Sequence, residues 1–438
     1  MIQDRSSTAC EHLAERVLAV AGSLAPELAE IASRRLFDTL GALALGTSLS
    51  TEHETDDQGL AATVAELCAV TRYTEVDDIE RRSCITPGSV AVPVALAIAA
   101  ERGPSGPTVL AAVVAGYEAM VAIGEAIDGA RILYRGIWPS YLAAPVAAAA
   151  TAARVLELDH ARFVDALSIA AARSSGIVGQ PQREPTSRWF LYGRAAADGV
   201  AAALAAERGV AGDPAVLEAV LSSQTRGEVG AISFPVDVPA IERVDVKPFC
   251  TARQVQSAIE AARGAWTELA VGQPHTGEIA AIEVGVPEAY QRMVDQPDPV
   301  ERLASIMSAQ YQIALALTDP GRLYDVARAE PRLSAAGTAV INAVTVVADP
   351  ELTPLFPDIW PARVSVALRD GREVTRRVLY PDGAEDPIPD WDWLASKHGA
   401  LGSFGGETAS VAERCRALQT DTPAAVRPLL DEALIHRP

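Results

Sequence analysis

Asp245-Val-Lys-Pro-Phe-Cys-Thr-Ala-Arg-Gln254 is the stretch at which the chain changes its hydrophobic period. Upstream, from residue 8 to about 230, Ala, Leu and Val recur at helical spacing, broken by Gly, Pro and Asp, with almost no alternation of apolar and polar residues. Downstream, residues 244–249, 279–286, 343–347 and 364–368 read as strands, and Arg369-Asp-Gly-Arg372 supplies a D-G turn into a further strand at 373–380. Helical runs at 251–269, 299–317 and 332–342 lie between them. Tyr380-Pro-Asp-Gly-Ala-Glu-Asp-Pro387 is a turn-rich exit, after which 391–418 and 424–435 return to helical spacing. The spacing therefore predicts a mainly α protein, with a large helical domain from both chain ends (1–243 and 389–438) and a smaller inserted α+β domain (244–388). A joint of that kind is a frequent place for small-molecule sites, and Lys247 falls on it.

Local signals agree. Thr8 with Glu11 forms a capping box for a helix starting near residue 9, and Asp213-Pro214 gives a cap followed by proline for one starting near 214. Ala143-Ala-Pro-Val-Ala-Ala-Ala-Ala150 offers small side chains that let helices pack closely on several sides. The acidic run at 51–57 reads as a solvated loop.

The formal charge of −20 repels phosphate backbones, which argues against nucleic acid as a partner. An anionic small molecule would need a local cluster of cations. The 5 cysteines are scattered and form no C-x-x-C pair, as expected in a reducing cytoplasm without disulfides or structural zinc. The N-terminus lacks the basic-then-apolar order of a signal peptide. The most apolar stretch, 107–127, carries Glu118 and Glu125, so it reads as a buried helix and not a membrane span.

No dinucleotide or phosphate-binding glycine motif is present, nor a zinc-binding histidine pair, so neither cofactor nor metal is expected. The 6 histidines stand singly and read as exposed fillers. Of the 37 basic residues only Lys247 and Lys397 are lysines. An ammonium can lose its proton when desolvated and a guanidinium cannot, which makes Lys247 a candidate for acid–base work, against the plain alternative of composition bias. After it, Thr251-Ala-Arg-Gln254 reads as a helix start whose free N–H groups, with Arg253 and Gln254, could hold a carboxylate. Thr251 as a simple N-cap and Arg253 as a surface residue is the other reading.

Taken in order, Phe37-Asp-Thr-Leu-Gly41, Thr86-Pro-Gly-Ser89, Gly116-Tyr-Glu118, Gly136-Ile-Trp-Pro-Ser140, Gly193-Arg-Ala-Ala-Ala197, Lys247-Pro-Phe249 and Tyr380-Pro-Asp-Gly383 resemble the MmgE/PrpD family, which includes 2-methylcitrate dehydratase and cis-aconitate decarboxylase. The resemblance runs from about residue 10 to 420. It implies a helical domain with an inserted α+β lid, a homodimer, and metal-free lyase or isomerase chemistry on small carboxylates between the two domains.

Several positions depart from the family pattern. Where dehydratases and decarboxylases of the family read D-F-D-D-T and then H-P, this chain reads Glu75-Val-Asp77-Asp78-Ile79 and then Thr86-Pro87. Trp138 replaces the histidine of G-x-H-P-T, Arg188 and Leu191 replace the lysine and histidine of K-x-L-H-x-G, and Gln256 stands where a histidine follows the matched Lys247. Tyr311 falls where the family has a tyrosine facing the site. The resemblance then leaves Asp77 or Asp78 as base, Lys247 and Tyr311 as proton donors or enolate stabilisers, and Arg188 with Arg253 as carboxylate clamps. Thr86, Trp138, Gln254 and Gln256 complete the expected substrate contacts.

Each position also has a bland reading: Asp77-Asp78 as a solvated acidic turn, Arg188 as a surface cation, Trp138 as helix packing. Trp138 and Leu191 in place of histidines point to a substrate less charged and more hydrophobic than citrate-type acids, in a specialised biosynthetic pathway. The opposing class is a catalytically silent binding or scaffolding protein on the same fold.

Overall fold

In a computed structural model, residues 7–49, 59–178, 187–225, 238–269, 275–328, 332–384, 388–420, 427–429 and 431 are described. The predicted acidic loop at 51–57 and most of the predicted helix at 424–435 lie outside them. The chain divides into two compact units, one drawing on both chain ends and the other formed chiefly by Lys247–Pro387.

The first unit is a helical bundle. Its first helix, Ala9–Ala21, is closed by the predicted capping box, with the Thr8 side chain accepting from Glu11 N and Glu11 returning to the Thr8 N–H. Helices Gly106–Ala126 and Pro139–Val155 are buried almost throughout, which their alanine and valine content permits. Gly106–Ala126 is long and apolar enough to cross a membrane, but most of it is buried inside the fold. Its two carboxylates have partners: Glu118 pairs with Arg16 at 3.0 Å and Glu125 with Arg243 at 2.6 Å. The helix expected from 214 starts two residues later, as Val216–Thr225, because Asp213 caps a turn by accepting from Ala215 N.

The chain ends are joined by buried charge. Asp38, on helix Pro26–Leu49, accepts from Lys397 Nζ at 2.5 Å and lies 3.0 Å from His398 Nε2, both on helix Trp391–Leu401. Burial alone would raise the Asp38 pKa, but Lys397 and His398 outweigh it and hold the carboxyl below its usual range. Gly41 is needed here, since a Cβ would stand 2.1 Å from the His398 ring. The reading of all histidines as exposed fillers is therefore corrected: His398 is fully buried, in ring contact with Phe37 and Phe404.

The first unit also contains a short antiparallel ladder, β1 (Ile79–Glu80) with β2 (Val244–Asp245), in register Ile79↔Asp245 and Glu80↔Val244. The strand expected over 244–249 thus lasts two residues and pairs within the helical unit. Pro248 has no N–H to continue a ladder. Arg35 donates to the Ile241 and Val244 carbonyls and Arg81 pairs with Asp245, fixing this segment.

The second unit has a four-stranded sheet in the order β4-β3-β5-β6, from β3 (Ile279–Val286), β4 (Val344–Ala348), β5 (Ala362–Leu368) and β6 (Glu373–Val378). β3 and β4 are parallel and the other pairs antiparallel. The alternating burial of β5 marks a sheet with one covered face, and helix Arg253–Leu269 packs on β5 and β6. The Asp370-Gly371 turn closes β5 onto β6 through Leu368 N to Arg372 O at 2.8 Å. The helix expected over 299–317 is two, Arg302–Met307 and Ala309–Thr318. Ser308 ends the first in extended backbone and caps the second by accepting from Tyr311 N. Serine is tolerated within helices, so spacing alone does not show this break.

Replacing Lys397 by Met leaves Asp38 buried without its ammonium. Denaturant unfolding followed by circular dichroism should show a loss of about 3–5 kcal/mol relative to wild type.

Candidate functional site

In the first unit, the loop between helix Leu60–Tyr73 and β1 carries the acidic pair, and its two members face different surroundings. Asp78 accepts from Gly88 N at 3.0 Å and from the Tyr117 hydroxyl. Gly88 opens helix Gly88–Arg102, so the carboxylate meets a helix N-terminus. No side chain fits at Gly88: a Cβ would lie 2.4 Å from Thr39 Oγ1 and 2.9 Å from Asp78 Oδ2. Burial pushes the Asp78 carboxyl up to about 6, against the opposing effects of the Tyr117 hydrogen bond and Arg35.

Asp77, fully buried, accepts instead from Arg72 Nη1 at 3.2 Å, which also pairs with Glu75 at 2.8 Å. Glu75 holds a left-handed backbone with φ 57, an uncommon state for a side-chain-bearing residue that turns the loop back toward Arg72. The reading of Asp77-Asp78 as a solvated turn is overturned, since both carboxylates are buried.

Around Asp77 lies an aromatic and cationic cluster. Arg188, on the buried face of helix Ser187–Glu207, places its guanidinium carbon 4.7 Å from the Trp138 ring centroid and 5.9 Å from that of Trp189. It is therefore not a surface cation. Trp138 precedes helix Pro139–Val155 and is anchored by its N–H to Gly176 O at 2.9 Å. Its indole N–H has no hydrogen-bond partner among the described residues. Tyr141 packs edge-on to Trp138 at 5.9 Å and to Tyr192 at 4.9 Å. Thr86 joins through Ser140, whose Oγ accepts from Thr86 N at 3.2 Å, and through Ser89, whose Oγ lies 2.9 Å from Tyr192 Oη and donates to Thr86 O. Leu191 does not join: it is 41% exposed while Arg188 and Tyr192 on the same helix are buried, so it does not make this cluster more apolar.

In the second unit, Lys247, Arg253, Gln254, Gln256 and Tyr311 are all buried. Arg253 is thus not a surface residue, and Thr251 is not an N-cap, because its hydroxyl donates to the Ala252 and Ile306 carbonyls while the helix begins at Arg253. Neither polar atom of the Gln256 amide finds a partner among the described residues. Burial raises the Tyr311 pKa, while the neighbouring Arg328 and Arg322 pull it down. Arg328 is held by donating to Cys250 O at 2.6 Å.

Sequence reasoning missed Arg72, Glu75, Tyr141, Tyr192 and Arg328. For two of them a signal existed: Tyr141 directly follows the Trp138-Pro-Ser140 motif, and Tyr192 lies one helical turn after Arg188. Among the described residues no group of three or more His, Cys, Asp or Glu is placed to hold a metal ion.

A helical bundle bearing a buried carboxylate among arginines, with a separate small sheet unit, defines a two-unit, mainly α protein with a polar cluster in its interior. Residues 61–222 match the MmgE/PrpD N-terminal domain and residues 249–414 the MmgE/PrpD C-terminal domain, and the chain belongs to the MmgE/PrpD family. It is 24% identical over 394 residues to the cis-aconitate decarboxylase of Aspergillus terreus, covering 83% of this chain and 79% of that one. The same enzyme from strain NIH 2624 / FGSC A1156 gives the same identity and coverage.

Ionised Asp78 is disfavoured in the folded state. Its folded pKa lies above the unfolded value, so stability falls as pH rises from about 4 to about 6 and stays lower above that. Asp78→Asn should remove this dependence, so urea titrations should show the variant gaining on wild type by up to about 3 kcal/mol between pH 4 and pH 7.

Proposed function

We propose that this protein is a lyase or isomerase that begins by removing a proton next to a carbonyl or carboxylate. Family membership and the likeness to a cis-aconitate decarboxylase support the reaction class. The observation that carries the reading is the buried cluster of Asp77, Arg72 and Arg188 against Trp138, which combines a carboxylate base, cations for a carboxylate, and an apolar floor.

Asp77 is the base and Asp78 its support. Asp78 has both oxygens engaged by Gly88 N and Tyr117, whereas Asp77 faces Arg72 and the aromatic residues. In the first step the substrate C–H bond breaks, Asp77 takes the proton, and the electron pair moves onto the neighbouring carbonyl or carboxylate oxygen as an enolate. Arg188 stabilises that oxygen as its charge grows. In a dehydration, the enolate then re-forms its carbonyl while the β-hydroxyl leaves with a proton as water; isomerisation, decarboxylation or cyclisation shares the same enolate. The reading keeps Lys247 and Tyr311 as candidate proton donors and Arg253, Gln254 and Gln256 as candidate holders of substrate oxygens. Thr86 orders Ser140 beside Trp138.

The imidazoles of family relatives are replaced here by Thr86, Trp138, Leu191 and Gln256, none of them cationic, and Trp138 within the cluster favours a substrate with fewer charges and a larger hydrophobic part than a citrate-type acid, as in a specialised biosynthetic pathway. The reading takes the chain as a cytoplasmic, cofactor-independent homodimer acting on a small carboxylate or carbonyl compound, with no nucleic-acid or membrane partner.

Incubation in deuterated water with a panel of carboxylic and β-keto acids, followed by mass spectrometry, should show deuterium uptake or product with wild type and a loss of at least about 100-fold with Asp77→Asn. Uptake undiminished in that variant would remove Asp77 as base, and carboxylate binding without exchange by wild type would favour a binding protein. Arg188→Ala should weaken binding of the acid that exchanges by about 10- to 100-fold, measured by calorimetry.

A further inference from the structure

Tyr141 presents a buried hydroxyl that the fold does not use. The residue is 2% exposed, its hydroxyl is fully buried, and that oxygen has no hydrogen-bond partner among the described residues. Its neighbour Tyr192, equally buried, contacts Ser89 Oγ at 2.9 Å and Thr86 O at 3.5 Å, so the same bundle does supply partners to a buried phenol where one is structural. An unmet hydroxyl inside a protein is costly, and a bound ligand or an ordered water that completes the bond removes that cost.

The surroundings specify that ligand. Arg72 and Arg188 are the cations acting on the Tyr141 phenol, with Glu75 and Asp77 the carboxylates. Burial holds the phenol protonated far above neutral pH, which leaves it a donor and not an anion. Its ring lies 5.9 Å from that of Trp138, the Arg188 guanidinium carbon lies 4.7 Å from the Trp138 centroid, and the Trp138 indole N–H is likewise without a partner among the described residues. Two neutral donors and a guanidinium therefore stand beside a flat aromatic surface.

Resting on the proposed reaction class, we infer that Tyr141 is a substrate-binding and specificity-determining residue whose hydroxyl, with Arg188 and the Trp138 indole N–H, holds one carboxylate of a substrate bearing a planar hydrophobic group. A single carboxylate suffices for this donor set. Tricarboxylates would bring further negative charge against Asp77 and Glu75, which lie in the same cluster.

The test uses Tyr141→Phe, which deletes one oxygen and keeps the ring packed between Trp138 and Tyr192. Cinnamate is the probe, with its uncharged amide and citrate as comparisons, and binding is read by calorimetry and by quenching of tryptophan fluorescence. Wild type should bind cinnamate in preference to both comparisons, and Tyr141→Phe should bind it about 10- to 100-fold more weakly. The variant's melting temperature should equal or exceed that of wild type, because no structural bond is lost. A lower melting temperature would assign the hydroxyl to folding, and unchanged cinnamate affinity or tighter citrate binding would remove Tyr141 from the site. Deuterium exchange is measured on the same samples. Cinnamate binding that depends on Tyr141 without exchange of any acid would leave this inference standing and overturn the lyase reading.

Discussion

The Asp78 carboxylate is the constraint on which the first unit is arranged. It takes the first N–H of helix Gly88–Arg102 and the Tyr117 hydroxyl in the middle of helix Gly106–Ala126, so one side chain locks a loop to two core helices. Glycine at 88 is the condition for that approach. Once Asp78 is fixed, the residue before it has no freedom to turn inward to the same partners, and Asp77 meets Arg72 instead. The residue after it begins β1, whose pairing with β2 anchors the chain two residues before Lys247. Two adjacent carboxylates thus have separate partners, one holding the loop to two core helices and one paired with Arg72. Their like charges do not compete for the same site.

Much of the architecture could be read from the sequence because it rests on period. Alanine-rich helical spacing before residue 240 and alternation in Ala362–Leu368 reflect burial on all sides and on one side, respectively, and each leaves its own pattern. The motif Phe37-Asp-Thr-Leu-Gly41 was visible as a string, but its cause was not. Asp38 needs Lys397 and His398, and Gly41 needs the His398 ring, more than 350 residues away, so no local pattern could report either. The same limit explains why Lys247 drew attention and Lys397 did not, although both are buried. The break at Ser308 and the short β2 were hidden for another reason: serine and valine satisfy more than one local structure, and tertiary partners decide.

Of the cluster, the sequence revealed the residues that carry charge or stand in motifs, namely Asp77, Arg188, Trp138 and Thr86. It did not reveal Arg72 or Tyr141, which matter through what surrounds them. Arg72 sits near the end of a helix, where a basic residue is ordinary, and only the left-handed turn at Glu75 brings two carboxylates back onto it. Tyr141 reads as one more apolar position of a buried helix. Its hydroxyl becomes informative only when the partners of every neighbouring hydroxyl are known.

A cluster furnished with guanidinium, indole and phenol groups, and no imidazole among its described residues, is limited in what it can do with protons. An arginine keeps its proton at any ordinary pH and an indole N–H does not titrate, so neither can act as a base. Both can orient and stabilise an anion. Burial raises the Tyr141 and Tyr192 pKa values well above neutrality, so these phenols donate hydrogen bonds without accepting protons. Of the charged groups around Tyr141, only Asp77 and Glu75 can receive a proton, and both are held by Arg72. The pairing with Arg72 also sets a cation beside both carboxylates, where a substrate anion can be met.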